Sequence, residues 1–227
     1  MRGIIILLLY AGLMAAIVTI IIRALPARHN PFAPVDLASR PGMATPVQLS
    51  RLRDNREACF NALDAAGLQY TPLEDSETGE RCSLTDSLTL GRSLTPYSAT
   101  LRMTCPQTAA LYMWERHVLR PAAMELFGTP LARIETYGSF SCRNIAGTGR
   151  LSQHAFGNAI DISGFRLEDG RVVTVLAHWN AGGREERFLR RVHDGACGLF
   201  SVTLGPDYND AHADHFHMDM GPGRICR

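Results

Sequence analysis

The chain has 227 residues and a formal net charge of +1. That suits one domain with a sizeable core and implies no polyanion, such as nucleic acid, as a partner. All 23 basic residues are arginine, so a Ser-x-x-Lys hydrolase, a Walker A phosphate loop and a Schiff-base enzyme are excluded.

Residues 4–22 form an uncharged apolar run, with Arg2 before it and Arg23 and Arg28 after it. The run is near the length that spans a bilayer. It is longer than most signal-peptide cores and has no clean small-x-small cleavage site before Pro26. An uncleaved signal anchor over residues 1–23 is the first expectation and a cleaved signal peptide the second. The flanking arginines do not fix the orientation. Residues 24–50 carry Pro26, Pro31, Pro34, Pro41 and Pro46 with little periodicity. They read as an extended linker lifting a domain, residues 51–227, off the membrane.

Within the domain, Cys59, Phe60, Leu63 and Ala66 have helical spacing over 56–68, ending near Gly67. The clearest helix starts at Thr104. Thr104 and Gln107 make a capping box, and Pro106 sits in the first turn, where its missing N–H costs nothing. Pro121 breaks or kinks this helix and Gly128 closes it. Strands are expected over 131–140, 158–164 and 171–176, a charged amphipathic helix over 183–196, and strands over 198–204 and 215–220. Helices come first and strands later, so the class is α+β: a small, mainly antiparallel sheet with flanking helices.

Six cysteines, Cys59, Cys82, Cys105, Cys142, Cys197 and Cys226, are dispersed and form no C-x-x-C pair. Behind an export signal they read as three disulfides, which places the domain in the periplasm or outside the cell. Six cysteines allow 15 pairings. Pairing in chain order, Cys59–Cys82, Cys105–Cys142 and Cys197–Cys226, is the expectation.

Two segments carry the chemistry. The first is Ser152-Gln153-His154-Ala155-Phe156-Gly157-Asn158-Ala159-Ile160-Asp161. Its His and Asp can meet only if the chain folds back between them, and Gly157 can take the positive φ that this needs. The second is His212-Ala213-Asp214-His215-Phe216-His217. His215 and His217 are two apart on an expected strand and share a face. Alone, His154 and Asp161 would read as a surface histidine and a turn carboxylate. Together the segments can give two nitrogens and one carboxylate to one metal, the ligand set of a catalytic zinc with a fourth position open. Asp219 shares the face of His217, either as an acceptor for an imidazole or as a plain strand-end carboxylate. His117, His178, His193 and Trp179 have no evident partners and read as structural.

These segments, S-Q-H-A-F-G-N-A-I-D and D-H-F-H, resemble the S-x-H-x-x-G-x-A-x-D and late D-H-x-H or E-x-x-H of zinc peptidases of the D-alanyl-D-alanine carboxypeptidase, dipeptidase and murein endopeptidase group. More narrowly, residues 59–226 resemble the extensin-like C-terminal domain family of bacterial envelope proteins, through the cysteine placement and Gly138-Ser139-Phe140-Ser141-Cys142-Arg143. The resemblance implies a zinc-peptidase-like core with His154, Asp161 and His217 as Zn2+ ligands. It gives Asp214 as the base that takes a proton from the attacking water. That role needs the strand to begin or bulge near His215; a strand regular back to Asp214 would favour His215. Arg143 falls where an Arg or polar residue of the resembling enzymes contacts the scissile carbonyl or substrate carboxylate, with a surface ion pair as the alternative. Ser152 and His212 fall where they touch substrate, with a turn cap and a solvated histidine as the alternatives. The implied function is a zinc-dependent envelope hydrolase cutting peptide bonds of peptidoglycan, its domain periplasmic and tethered to the inner membrane, or secreted. The alternative is a non-catalytic wall-binding module that keeps the metal site. A closed structural zinc would need His212 or His215 as a fourth ligand.

Overall fold

A computed structural model describes residues 2–78 and 81–227. The chain opens with a 23-residue helix, α1 (Arg2–Ala24), apolar on every side. Over Gly3–Ala24 it is long and apolar enough to cross a membrane, and it is unburied. A short helix, α2 (Thr45–Arg51), follows. The expected extended linker therefore differs from what is observed: Leu37 and Leu49 are buried in the same core as the rest of the domain. Next is α3 (Arg56–Ala65), whose N-cap Asn55 accepts the Ala58 N–H.

Five strands that the sequence did not announce come next: β1 (Gln69–Pro72), β2 (Ser76–Thr78), β3 (Cys82–Leu84), β4 (Ser87–Arg92) and β5 (Arg102–Thr104). They form an antiparallel sheet β1-β4-β5 and a separate hairpin β2–β3. Each is short and most present mixed faces, so no alternation stands out.

The central helix α4 (Cys105–Trp114) starts at the expected cap, where Thr104 Oγ1 accepts the Gln107 N–H. Every one of its residues is buried, which is why it lacks an amphipathic stripe. A π-helical turn over Glu115–Leu119 precedes α5 (Arg120–Phe127). Such a turn absorbs the hydrogen bond that Pro121 cannot make. Gly128, at φ +71°, ends α5. Glu115 is fully buried inside this turn. Its carboxylate accepts from Ser93 Oγ (2.6 Å), Tyr97 Oη (2.6 Å) and the Thr95 N–H (3.0 Å), tying the loop after β4 to the helix.

The main sheet is β6 (Leu131–Gly138), β7 (Ala159–Leu167), β8 (Val172–Thr174), β9 (Val202–Leu204), β10 (Phe216–Asp219) and β11 (Ile225–Cys226). Its order is β11-β9-β10-β7-β6, with β8 also on β7. Only β11–β9 is parallel; the other pairs are antiparallel, as expected. The third expected strand stops early: Thr174 caps a one-turn helix, α6 (Val175–His178). The amphipathic helix α7 (Gly183–Ala196) lies where its pattern put it, with Phe188, Leu189 and Val192 in the core.

All six cysteines are paired, but two of the three expected pairings are corrected. The bonds are Cys59–Cys105, Cys82–Cys142 and Cys197–Cys226. Cys59 on α3 faces the start of α4. Cys82 sits on β3, which packs against the turn over Gln153–Phe156, and there it meets the loop that follows β6.

Candidate metal centre

The register of β7 against β10 builds most of the site. His217 pairs directly with Asp161, so the two side chains leave the same face of the sheet. His154 arrives from a 3-10 turn over Gln153–Phe156 that Gly157 closes at φ +63°. A Cβ at Gly157 would lie 2.7 Å from Leu84 Cδ2, so both conformation and space favour glycine there. Ser152 is buried and caps this turn, its Oγ accepting the His154 N–H at 3.3 Å.

Three donor atoms converge. His154 Nε2 and His217 Nδ1 are 3.1 Å apart. Each faces Asp161 Oδ1, at 3.1 and 2.9 Å respectively. All three residues are buried. Ligands at ~2.0 Å in tetrahedral array around zinc would stand about 3.3 Å apart, so the donor set fits such an ion.

The outer partners orient both rings. His154 Nδ1 donates to the Ser139 carbonyl (2.5 Å) and His217 Nε2 donates to Asp219 Oδ2 (2.9 Å). Both acceptors lack a hydrogen to offer, so the outer nitrogen of each ring donates; the inner nitrogen of His217 faces a second carboxylate, Asp161, and presents a lone pair there once its proton is displaced. Three donor atoms converging on one point repel unless a positive charge sits among them. That charge is a proton or a metal ion. Burial opposes a proton on His217, but the carboxylates of Asp161 and Asp219 outweigh it and raise the pKa to about 9. Burial pushes Asp161 upward; hydrogen bonds and charge from the two histidines pull harder, and its carboxyl lies well below the usual range.

Around this trio, His215 presents Nε2 3.6 Å from Asp161 Oδ1. Its Nδ1 donates to Asp214 Oδ1 at 2.8 Å. β10 begins only at Phe216, so the chain does break near His215, the condition set for Asp214. The Asp214 carboxylate nevertheless turns to His215 and to Tyr137 Oη (3.0 Å). The hydrogen bond from His215 holds its pKa below the usual value. Arg143 reaches the other oxygen of Asp161, Nη2 to Oδ2 at 3.4 Å. His212 donates from Nδ1 to Asn209 Oδ1 (2.7 Å), and its ring lies 5.2 Å from that of His215 and 5.9 Å from that of His217. Burial, then the charges of His215 and His217, lower its pKa to about 4.

His117 and His178 bond backbone groups elsewhere. His193 lies near Cys197 and Cys226, but both sulfurs are spent in their disulfide. Sequence reasoning missed Ser139 and Tyr137. Ser139 lay within the segment that carried the family resemblance, but a backbone carbonyl leaves no mark in side-chain pattern.

The fold and site thus define a disulfide-stapled α+β protein with a buried His–Asp–His cluster at the centre of its sheet. The chain belongs to the extensin-like family: the family described as extensin-like protein C-terminus matches residues 57–227. No curated protein matches the chain.

Proposed function

We propose that this chain is a zinc-dependent hydrolase of the bacterial envelope that cleaves peptide bonds of peptidoglycan. One observation carries the reading: three buried potential ligand atoms from His154, Asp161 and His217 converge within a metal site's span. These residues would hold the ion, with Asp219 and the Ser139 carbonyl fixing the rings. A zinc ion there would supply Lewis acidity and make water a nucleophile near neutral pH.

His215 is placed to take the proton from water. Its Nδ1 is committed to Asp214, which leaves Nε2 as an acceptor on the Asp161 side of the site. Asp214, the base implied by the resemblance, stands behind it and favours the imidazolium that proton uptake creates, as the carboxylate does in a Ser-His-Asp triad. Arg143 can stabilise negative charge developing on the scissile carbonyl oxygen. The His212 ring lies beside His215 on the substrate side. Ser152 serves as a cap rather than a direct contact. The substrate class rests on the resemblance to murein peptidases. The periplasmic setting rests on three disulfides behind an apolar helix.

The test is zinc content and release of peptides from purified sacculi by the oxidised protein. One zinc per chain is expected in wild type, lost in His217→Ala and kept in His215→Ala and Asp214→Ala. His215→Ala should lower the cleavage rate ~10²–10⁴-fold, the usual worth of a general base. Bound zinc without cleavage by wild type would reject the hydrolase and leave the wall-binding module.

A further inference from the structure

The segment between α1 and the domain is short of slack. Gln48 Nε2 donates to the carbonyls of Ala27 (2.8 Å) and Asn30 (2.9 Å), and the Ala44 N–H donates to the Arg28 carbonyl (3.2 Å). The Arg51 guanidinium bonds the Pro31 carbonyl. Leu37 and Leu49 are buried in the domain core. From Ala27 onward the chain is therefore fastened down. Only Leu25 and Pro26 lie between that fastening and the end of α1 at Ala24. The three Cα–Cα steps from Ala24 to Ala27 reach at most about 11 Å, comparable to the Debye length of about 8 Å at physiological ionic strength.

This fastened segment shows apolar side chains and arginines to solvent. Phe32 is 66% exposed and Met43 79%, and Val47 on α2 is also exposed. Residues 23–53 carry Arg23, Arg28, Arg40, Arg51 and Arg53 against a single acid, Asp36, in a chain whose overall charge is +1. The Arg51 guanidinium lies over the Phe32 ring, 5.1 Å from its centroid. Exposed aromatic and aliphatic side chains set among arginines suit the boundary of headgroups and acyl chains, and cationic side chains suit an anionic leaflet.

We propose that residues 28–53 form a lipid-facing surface that lays the domain flat against an anionic bilayer beside α1. Phe32 and Met43 enter the headgroup–acyl boundary, and the arginines meet phosphate groups. The proposal rests on α1 lying in that bilayer and is independent of the hydrolase reading.

The full chain reconstituted in phosphatidylcholine vesicles, with and without phosphatidylglycerol, tests it through single tryptophan probes and spin-labelled lipid quenchers. The two native tryptophans, Trp114 and Trp179, are buried and give a constant background. Phe32→Trp and Met43→Trp should lose most of their added emission to a shallow quencher. The loss should deepen with phosphatidylglycerol and recede in high salt. Leu176→Trp, exposed on α6, should be unaffected, and Leu13→Trp within α1 should be quenched by a deep label. Quenching at position 13 with positions 32 and 43 no more quenched than 176 would overturn the surface. Equal quenching with and without phosphatidylglycerol would overturn the anionic assignment. An unquenched position 13 would overturn the anchor and the proposal with it.

Discussion

Asp219 shows how much of the site is set by a residue that touches no ligand atom. It takes the Nε2–H of His217 and so fixes which nitrogen faces inward. Asp219→Asn keeps the shape but removes the charge, and zinc affinity should fall ~10-fold or more, the usual cost of losing such a partner; competition with a chromophoric chelator reads it. The same geometry sets a pH dependence. His217 holds a proton up to about pH 9, and a metal must displace it. Apparent zinc affinity should therefore weaken by about tenfold for each pH unit below 9 and level off above it. A chelator titration that stayed flat between pH 6 and 8 would mean the proton is absent. At this scale the sequence was readable in part. His154, Asp161 and His217 stood out because their motif spacing is specific. The choice between Asp214 and His215 did not, because it depends on one carboxylate's rotamer. Asp219 was visible only as a shared face.

Among the elements, long segments were legible and short ones were not. The helix from Thr104 declared itself by its cap and its prolines, and α7 by its charged face. The strands of β1-β4-β5 are three to six residues long, too short for alternation to rise above chance. The stretch 24–50 was read through its prolines, while Leu37 and Leu49, which bury it, have no periodic company. The π-turn inside the long helix was foreseen only as a break at Pro121. It places Glu115 where burial, opposed by bonds from Ser93, Tyr97 and Thr95, raises the carboxyl pKa to about 7. A pKa raised by folding means that the neutral acid is favoured in the folded state. Its contribution is full below the unfolded value of 4.5 and is lost as pH rises through about 7. Against wild type, Glu115→Gln should thus gain stability between pH 4.5 and 8, by at most about 3 kcal/mol. Urea midpoints at the two pH values measure it, and parallel curves for the two proteins would refute it.

For the whole molecule, the disulfides decide which parts move together. Cys59–Cys105 holds α3 to α4, and Cys197–Cys226 holds α7 to the sheet edge. Cys82–Cys142 spans 60 residues and pins the loop that supplies Ser139 to His154 and Arg143 to Asp161. Replacing both cysteines by serine should cost about 4 kcal/mol by loop-closure entropy. Zinc affinity should also fall, whereas the same change at Cys197 and Cys226 should lower stability and spare zinc. Equal zinc affinity in the two double variants would show that the loop holds its place unaided.

Viewed in time rather than space, that bond orders events in the life of the chain. Ser139 and Arg143 are held by hydrogen bonds to Arg102 and Ser152, and the Cys82–Cys142 bond adds a covalent tie that reducing compartments do not sustain. A copy kept in a reducing compartment would carry the same cluster without that covalent tie. In the proposed envelope setting, closure of that bond would follow export of the chain.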